Sequence, residues 1–290
     1  MEAYTDFASV YDIFMDETPY EEWAEFLVSF INKYGISKPI RKDRATEETD
    51  SMQEIVSIQK ANMLETEKNL VVDLGCGTGT LTELLYRKGF DMIGIDNSQE
   101  MLTIAMNKKA ESGSEILYLC QDMRELDLYS TVGTVVSVCD SVNYLLEDEE
   151  VIETFSRINN YLYPGGIFIF DFNTVYKYEK IIGDTTIAEN REDCSFIWEN
   201  FYNEEERINE YDITIFARID VDKTENAEED SGLFRRFTET HYQRGYTVEE
   251  MKAFIQAAGL ELLEVLDADS HDKPTSESQR IYMVAREHGK

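Results

Sequence analysis

A short apolar run, LVVDLG over residues 70–75, is followed at once by glycines at positions 75, 77 and 79 and then by a helical pattern from Leu81. Glycine permits the positive φ of a tight turn and lets a ligand approach the main chain closely. A turn of this kind between a buried strand and a helix start is a small-molecule site of α/β folds. Two-residue spacing excludes the P-loop, which needs a downstream Gly-Lys-Ser/Thr. The dinucleotide fingerprint asks for Gly or Ala where this chain has Thr80, which disfavours NAD.

Strands and helices alternate beyond the turn. Residues 91–96, 115–122, 133–141 and 165–172 read as strands, and 81–89, 98–110 and 148–162 as helices, with Ser98 placed as an N-cap. Near-continuous apolar strands separated by helices predict a mostly parallel sheet covered on both faces. Residues 195–246 break that rhythm. Tyr211, Ile213, Ile215, Ala217, Ile219 and Val221 alternate with polar residues, the period of a half-buried antiparallel strand. Residues 195–202 and 233–246 also read as strands, with an acidic turn at 223–232, so a three-stranded antiparallel insert is expected. A helix over 247–259 follows, with Thr247 and Glu250 spaced as a capping box, and then closing strands at 260–268 and 279–287. At the other end, residues 4–34 read as helical, with Tyr20, Trp23, Phe26, Leu27, Phe30, Ile31 and Tyr34 on one apolar face before Gly35. The polar stretch 37–69 reads as a loop and a short helix around Gln53–Met63.

The formal charge is -32, from 59 acidic against 27 basic residues. Nucleic-acid binding depends on neutralising phosphates, so this charge weighs against RNA or DNA as a partner. No run is apolar and long enough to cross a bilayer, and the first residues lack a secretory pattern. Cys76, Cys120, Cys139 and Cys194 are far apart and do not cluster with His241, His271 or His288. They read as reduced thiols of a cytoplasmic protein, and no metal site is expected.

Asp96 ends the second strand, 17 residues beyond Gly79, where a carboxylate can accept hydrogen bonds from both ribose hydroxyls. Asp122 ends the third, where an adenine edge would lie. The segments DLGCGTGTLTELL, GIDNSQEML, LCQDMREL, SVCDSVNYL and LYPGGIFIFDF, taken in order, resemble the successive motifs of class I S-adenosylmethionine (SAM)-dependent methyltransferases. That resemblance runs from about Leu70 to Phe172. It implies a Rossmann-like seven-stranded sheet whose last strand is antiparallel, with a β cap inserted after the fifth strand. It also implies SAM as cofactor, held by Asp73, Gly75, Cys76, Gly77, Gly79, Asp96, Asn97, Met101, Asp122, Met123, Cys139, Asp140 and Ser141. The flanks, residues 4–23 and 234–265, are similar to bacterial small-molecule methyltransferases of the sugar N-methyltransferase and glycine N-methyltransferase type. Tyr11, with Tyr4, is a candidate to close over the cofactor as a helical lid, and Asn143, Tyr144, Trp198 and Arg244 are candidates to face a small-molecule methyl acceptor.

Methyl transfer needs the acceptor held in line with the methyl group and water kept out. A base is needed where the acceptor carries a proton. Glu239 and His241 share one face of a strand with Arg235 and Gln243 by period two, which makes them the candidate acid-base pair. The expected organisation is a helical lid and linker over 1–69, a SAM-binding core over 70–194 and 247–290, and a cap over 195–246, with a cap sheet able to pair in a homodimer. Two further readings share the core motifs: a wobble-base RNA methyltransferase and a non-catalytic SAM-binding regulator.

Overall fold

A computed structural model describes residue 4 and residues 7–40, 64–219 and 232–290. The predicted helix around Gln53–Met63 lies outside those residues, as does the acidic turn apart from its last residue. Five parallel strands form the centre of a seven-stranded sheet: β1 (Leu70–Leu74), β2 (Asp91–Asp96), β3 (Leu117–Cys120), β4 (Val132–Ser137) and β5 (Leu162–Asn173). They are ordered β5-β4-β1-β2-β3, and the sheet is completed beside β5 by the late strands β11 (Arg280–Glu287) and β10 (Leu260–Asp267). β11 runs antiparallel to both of its neighbours. Both faces must be covered because the strands are apolar on both sides. Helices α1 (Ala8–Phe14), α2 (Tyr20–Tyr34), α3 (Thr80–Arg87), α4 (Gln99–Ser112), α5 (Asp148–Tyr161) and α6 (Val248–Ala257) accompany the strands. α2 and α3 bury Leu27, Ile31, Leu84 and Leu85 on one face. α5 and α6 bury Phe155, Ile158, Met251 and Phe254 on the other.

The N-terminal helical stretch is two helices rather than one. It breaks at Thr18-Pro19, because proline supplies no amide donor and restricts the residue before it. The caps form as the sequence indicates: the Met101 amide donates to Ser98 Oγ at 3.0 Å, and Thr247 and Glu250 close a reciprocal capping box.

The cap is a separate antiparallel sheet of four strands, not three. Its order is β6 (Thr186–Asn190), β7 (Cys194–Asn203), β8 (Ile208–Arg218) and β9 (Phe234–Arg244). β6 escapes a periodicity search because it is five residues long and mostly exposed. It is recruited by main-chain pairing with β7. The inner face of the cap carries Tyr211, Ile213 and Ile215, packed with Val10, Phe7 and Phe14, so α1 is clasped beneath the cap.

Asn143 ties cap to core. It is fully buried, its Nδ2 donates to the carbonyls of Asn173 (3.0 Å) and Arg244 (2.7 Å), and its Oδ1 accepts from the Asn173 amide (2.8 Å). Asn143→Ala leaves three main-chain groups without this partner. Each buried unsatisfied group costs about 1–3 kcal/mol, so chemical denaturation should show a loss of about 2 kcal/mol or more.

Candidate functional site

β1 runs into the glycine turn at the C-terminal edge of the sheet, where open α/β sheets bind ligands. Gly75, Gly77 and Gly79 have φ of 80°, 54° and 74°. A Cβ at Gly75 would stand 2.5 Å from Ser141 Oγ, and one at Gly79 2.5 Å from the Tyr118 hydroxyl oxygen. At Gly77 it would meet nothing within 4 Å, so that position leaves room above the main chain. The Asp96 carboxylate holds the turn in place. It accepts from the amides of Gly77 (2.8 Å) and Ser98 (2.9 Å). Burial raises the Asp96 pKa, and these amides oppose the rise.

These residues open onto a cavity of about 1100 Å³, including its solvent-facing mouth. On the core side Asp73, Gly75, Cys76, Gly77, Asp96, Asn97 and Met101 line it, with Asp122, Met123, Cys139 and Ser141 farther along. Asp122 both lines the cavity and caps a short turn. Its carboxylate accepts from the Arg124 amide (2.8 Å) and is gripped by the Arg124 guanidinium at 2.6 Å, which lowers its pKa. Cys139 and Asp140 both have positive φ, 64° and 56°. This pair of left-handed residues is held by the buried Asp171 carboxylate, which accepts their amides at 3.0 and 2.8 Å. Burial pushes the Cys139 thiol up to about 12, with Asp140 and Asp171 adding to the rise, so it stays protonated near neutrality. Asp140 turns toward the cap instead, where its carboxylate accepts from Gln243 Nε2 at 2.6 Å. Gly79 does not line the cavity; it begins α3 with a left-handed turn.

The opposite wall is aromatic. Tyr4, Tyr11, Tyr20 and Trp23 come from the N-terminal segment, and Tyr144 from the turn after β4. Tyr20 and Trp23 read as core positions by helical period; only the docking of α2 exposes their edges to the cavity. Thr78 and Thr80 also line it. Thr78 Oγ1 donates to Asp12 Oδ1 at 2.7 Å, and Lys108 bridges Asp12 (2.7 Å) and Thr80 (2.6 Å), pinning α1 over the glycine turn.

The remaining substrate-side candidates are drawn off the wall. Asn143 is consumed by the main-chain bonds described above. Trp198 lies against Tyr211 and donates to Asn200 Oδ1 at 2.8 Å. Arg244 is buried, donates to the Leu146 carbonyl at 2.9 Å and pairs with Asp148 at 2.7 Å. Glu239 and His241 are 5% and 1% exposed, so neither faces bulk solvent. They sit behind the tyrosines, with His241 Nδ1 3.0 Å from the Tyr144 hydroxyl.

A methyltransferase-domain model matches residues 71–166. YqeM of Bacillus subtilis (strain 168), a methyltransferase by name, is 32% identical over 284 residues, covering 98% of this chain and 96% of the relative. The chain belongs to the SAM-dependent methyltransferase family. Its fold is shared by a SAM-dependent methyltransferase from Clostridium acetobutylicum ATCC 824, with a TM-score of 0.76, 24% identity and coverage of 99% and 100% of the two chains. It is shared too by CalS10, a SAM-bound amino pentose methyltransferase from Micromonospora echinaspora, with a TM-score of 0.63, 17% identity and coverage of 99% and 98%.

Within this methyltransferase the most deeply placed cavity acid is Asp73, 2% exposed and bonded to Thr82 Oγ1 at 2.6 Å. Burial is the main cause that raises its pKa from 3.8 to about 6. A carboxyl that binds its proton more tightly when folded favours the folded state fully below pH 3.8, and that contribution fades as pH rises through about 6. Asp73→Asn should therefore flatten the stability curve of the ligand-free protein between about pH 4 and 6. It should gain roughly 1–3 kcal/mol relative to wild type at pH 7, as read by urea denaturation across pH.

Proposed function

We propose that this methyltransferase transfers the methyl group of SAM to a nitrogen or oxygen of a small molecule enclosed between the glycine turn and the tyrosine wall. The observation that carries the reading is the two-sided cavity: glycine turn and carboxylates on the core side, aromatic rings from the lid on the other. When bound, SAM supplies a methyl group already activated by its sulfonium.

The residues present fit that cofactor. The bare main chain at Gly77 leaves space for the methionyl portion. Asp96 keeps lone pairs free beyond its two amide bonds and suits ribose hydroxyls. Asp122 and Met123 flank the position expected for adenine, with Asn97 and Met101 between, and Cys139 and Ser141 border the reacting end. Tyr4, Tyr11 and Tyr144 exclude water there, which strengthens every polar contact within. A small acceptor agrees with the amino pentose named for CalS10. The charge of -32 disfavours a polyanionic RNA acceptor. Residues 1–69 act in this reading as lid and linker, and the cap as a roof that begins at β6. We further read the protein as cytoplasmic and its cap edge as a surface open to homodimer pairing.

Calorimetry should give a micromolar SAM dissociation constant, about -8 kcal/mol, with NAD far weaker. Asp96→Ala removes charge-assisted hydrogen bonds worth about 1.5–3 kcal/mol each and should weaken SAM at least tenfold. NAD binding as tight as SAM, or an unchanged SAM constant in the variant, would sink this reading.

A further inference from the structure

A buried chain of polar groups runs away from the cavity on its cap side. The Tyr144 hydroxyl donates to the Tyr4 hydroxyl at 2.8 Å and lies 2.8 Å from that of Tyr211 and 3.0 Å from His241 Nδ1. The His241 ring stacks on Tyr211 with centroids 5.0 Å apart and meets the edge of Tyr4 at 4.8 Å. Its other nitrogen, Nε2, faces Glu239 Oε2 at 3.4 Å. Glu239 is anchored in turn by the amide of Phe7, which donates to Oε1 at 2.8 Å. The groups facing His241 are therefore Glu239 from its own strand, Tyr211 from β8, Tyr144 from the turn after β4 and Tyr4 from the N-terminal segment.

An acid-imidazole pair buried this completely adds little to stability compared with an apolar replacement. It adjoins a tyrosine that lines the cavity, and its order is that of a base oriented by a carboxylate. We propose that Tyr144, His241 and Glu239 form a proton relay, and that the acceptor is a nucleophile bearing an N–H or O–H bond. The proposal rests on the methyltransferase reading above and adds what leaves the acceptor.

The acceptor's lone pair forms the bond to the methyl carbon as the carbon–sulfur bond breaks, its electron pair remaining on sulfur. The acceptor atom then holds one proton too many. Tyr144 takes that proton on its oxygen. Its own proton swings from Tyr4 to Nδ1 of His241, a rotation about the C–O bond that a hydroxyl makes freely. Glu239 holds the far side of the imidazole as it gains the charge. One proton moves from the cavity to the His241–Glu239 pair, and no oxidant or reductant is involved. Tyr144 is the catalytic residue of this relay; Glu239 acts through His241 as a positioning residue.

The chain contains three histidines, so a protein carrying ¹⁵N-labelled imidazoles gives a sparse NMR spectrum in which His241→Gln identifies the His241 signals. Tyr144→Phe should move the Nδ1 resonance and Glu239→Gln the Nε2 resonance, both variants still melting in a single cooperative transition and holding calorimetric SAM binding within about threefold. With labelled SAM and benzylamine as the protic probe, each variant should lose about a hundredfold in kcat while KM stays within about threefold. Unmoved His241 resonances in either variant, or probe methylation by Tyr144→Phe at the wild-type rate, would overturn the relay. Failure of the wild type to bind SAM would strike the proposed function instead, because the NMR response is read without cofactor.

Discussion

The Asp96 carboxylate is the junction on which the site is assembled. One oxygen takes the Gly77 amide from the turn after β1, and the other takes the Ser98 amide at the start of α4. Two βα connections are thereby locked at one point, and the amides they spend would otherwise stand unpaired at the sheet edge. Positive φ at Gly75, Gly77 and Gly79 is what brings the main chain within reach of that carboxylate. Ser98 then uses its own Oγ twice, accepting from Met101 and donating to the Tyr4 carbonyl at 2.7 Å. The glycine turn and the N-terminal segment therefore share one small hydrogen-bond hub.

A second anchor lies near the end of β5. Asp171 is fully buried, yet it accepts two main-chain amides and lies 3.6 Å from Arg280. Those contacts hold Cys139 and Asp140 in conformations that side-chain-bearing residues rarely adopt. Arg280 also lies over the Trp23 ring at 4.7 Å, which couples the turn to the lid helix. Strain at the cavity wall is sustained by a buried carboxylate of β5.

The inner face of the cap divides into an apolar half and a polar half. Tyr211, Ile213 and Ile215 seal α1 beneath the sheet. Glu239, His241 and Gln243 lie on β9 at two-residue steps, Glu239 accepting from the Phe7 amide and His241 meeting the Tyr144 hydroxyl. Gln243 accepts from Tyr178 (2.8 Å) and donates to Asp140 (2.6 Å). The cap sheet is therefore registered on the core by directional contacts that a slip of one residue would abolish, since such a slip turns every side chain to the other face.

Much of this was legible in the sequence, for reasons local to the chain. The strand-helix alternation, the glycine turn, the Ser98 and Thr247 caps and the period-two cap strands depend on neighbours a few residues apart, and each appears among the described residues, the cap with one strand more than its periodicity indicates and with Val221 outside those residues. The Thr18-Pro19 break is equally local, set by the proline itself. What could not be read is set by strand pairing and packing that leave no residue pattern of their own. β6 exists through pairing with β7, not through a pattern of its own. Asn143, Trp198 and Arg244 have the polarity of binding residues, but packing directs their polar groups into main-chain bonds, a side-chain amide and an ion pair. Tyr20 and Trp23 have the spacing of core residues, but the docking of α2 leaves their edges on the cavity. By itself the sequence determined the parallel core, the glycine loop that borders the cavity and the alternation of the cap, because those follow from periodicity and backbone freedom. The tertiary structure alone decided which polar side chains face the cavity and which are spent within the protein, because that choice depends on partners that only the folded chain brings together, as with Asn143 and the Arg244 carbonyl.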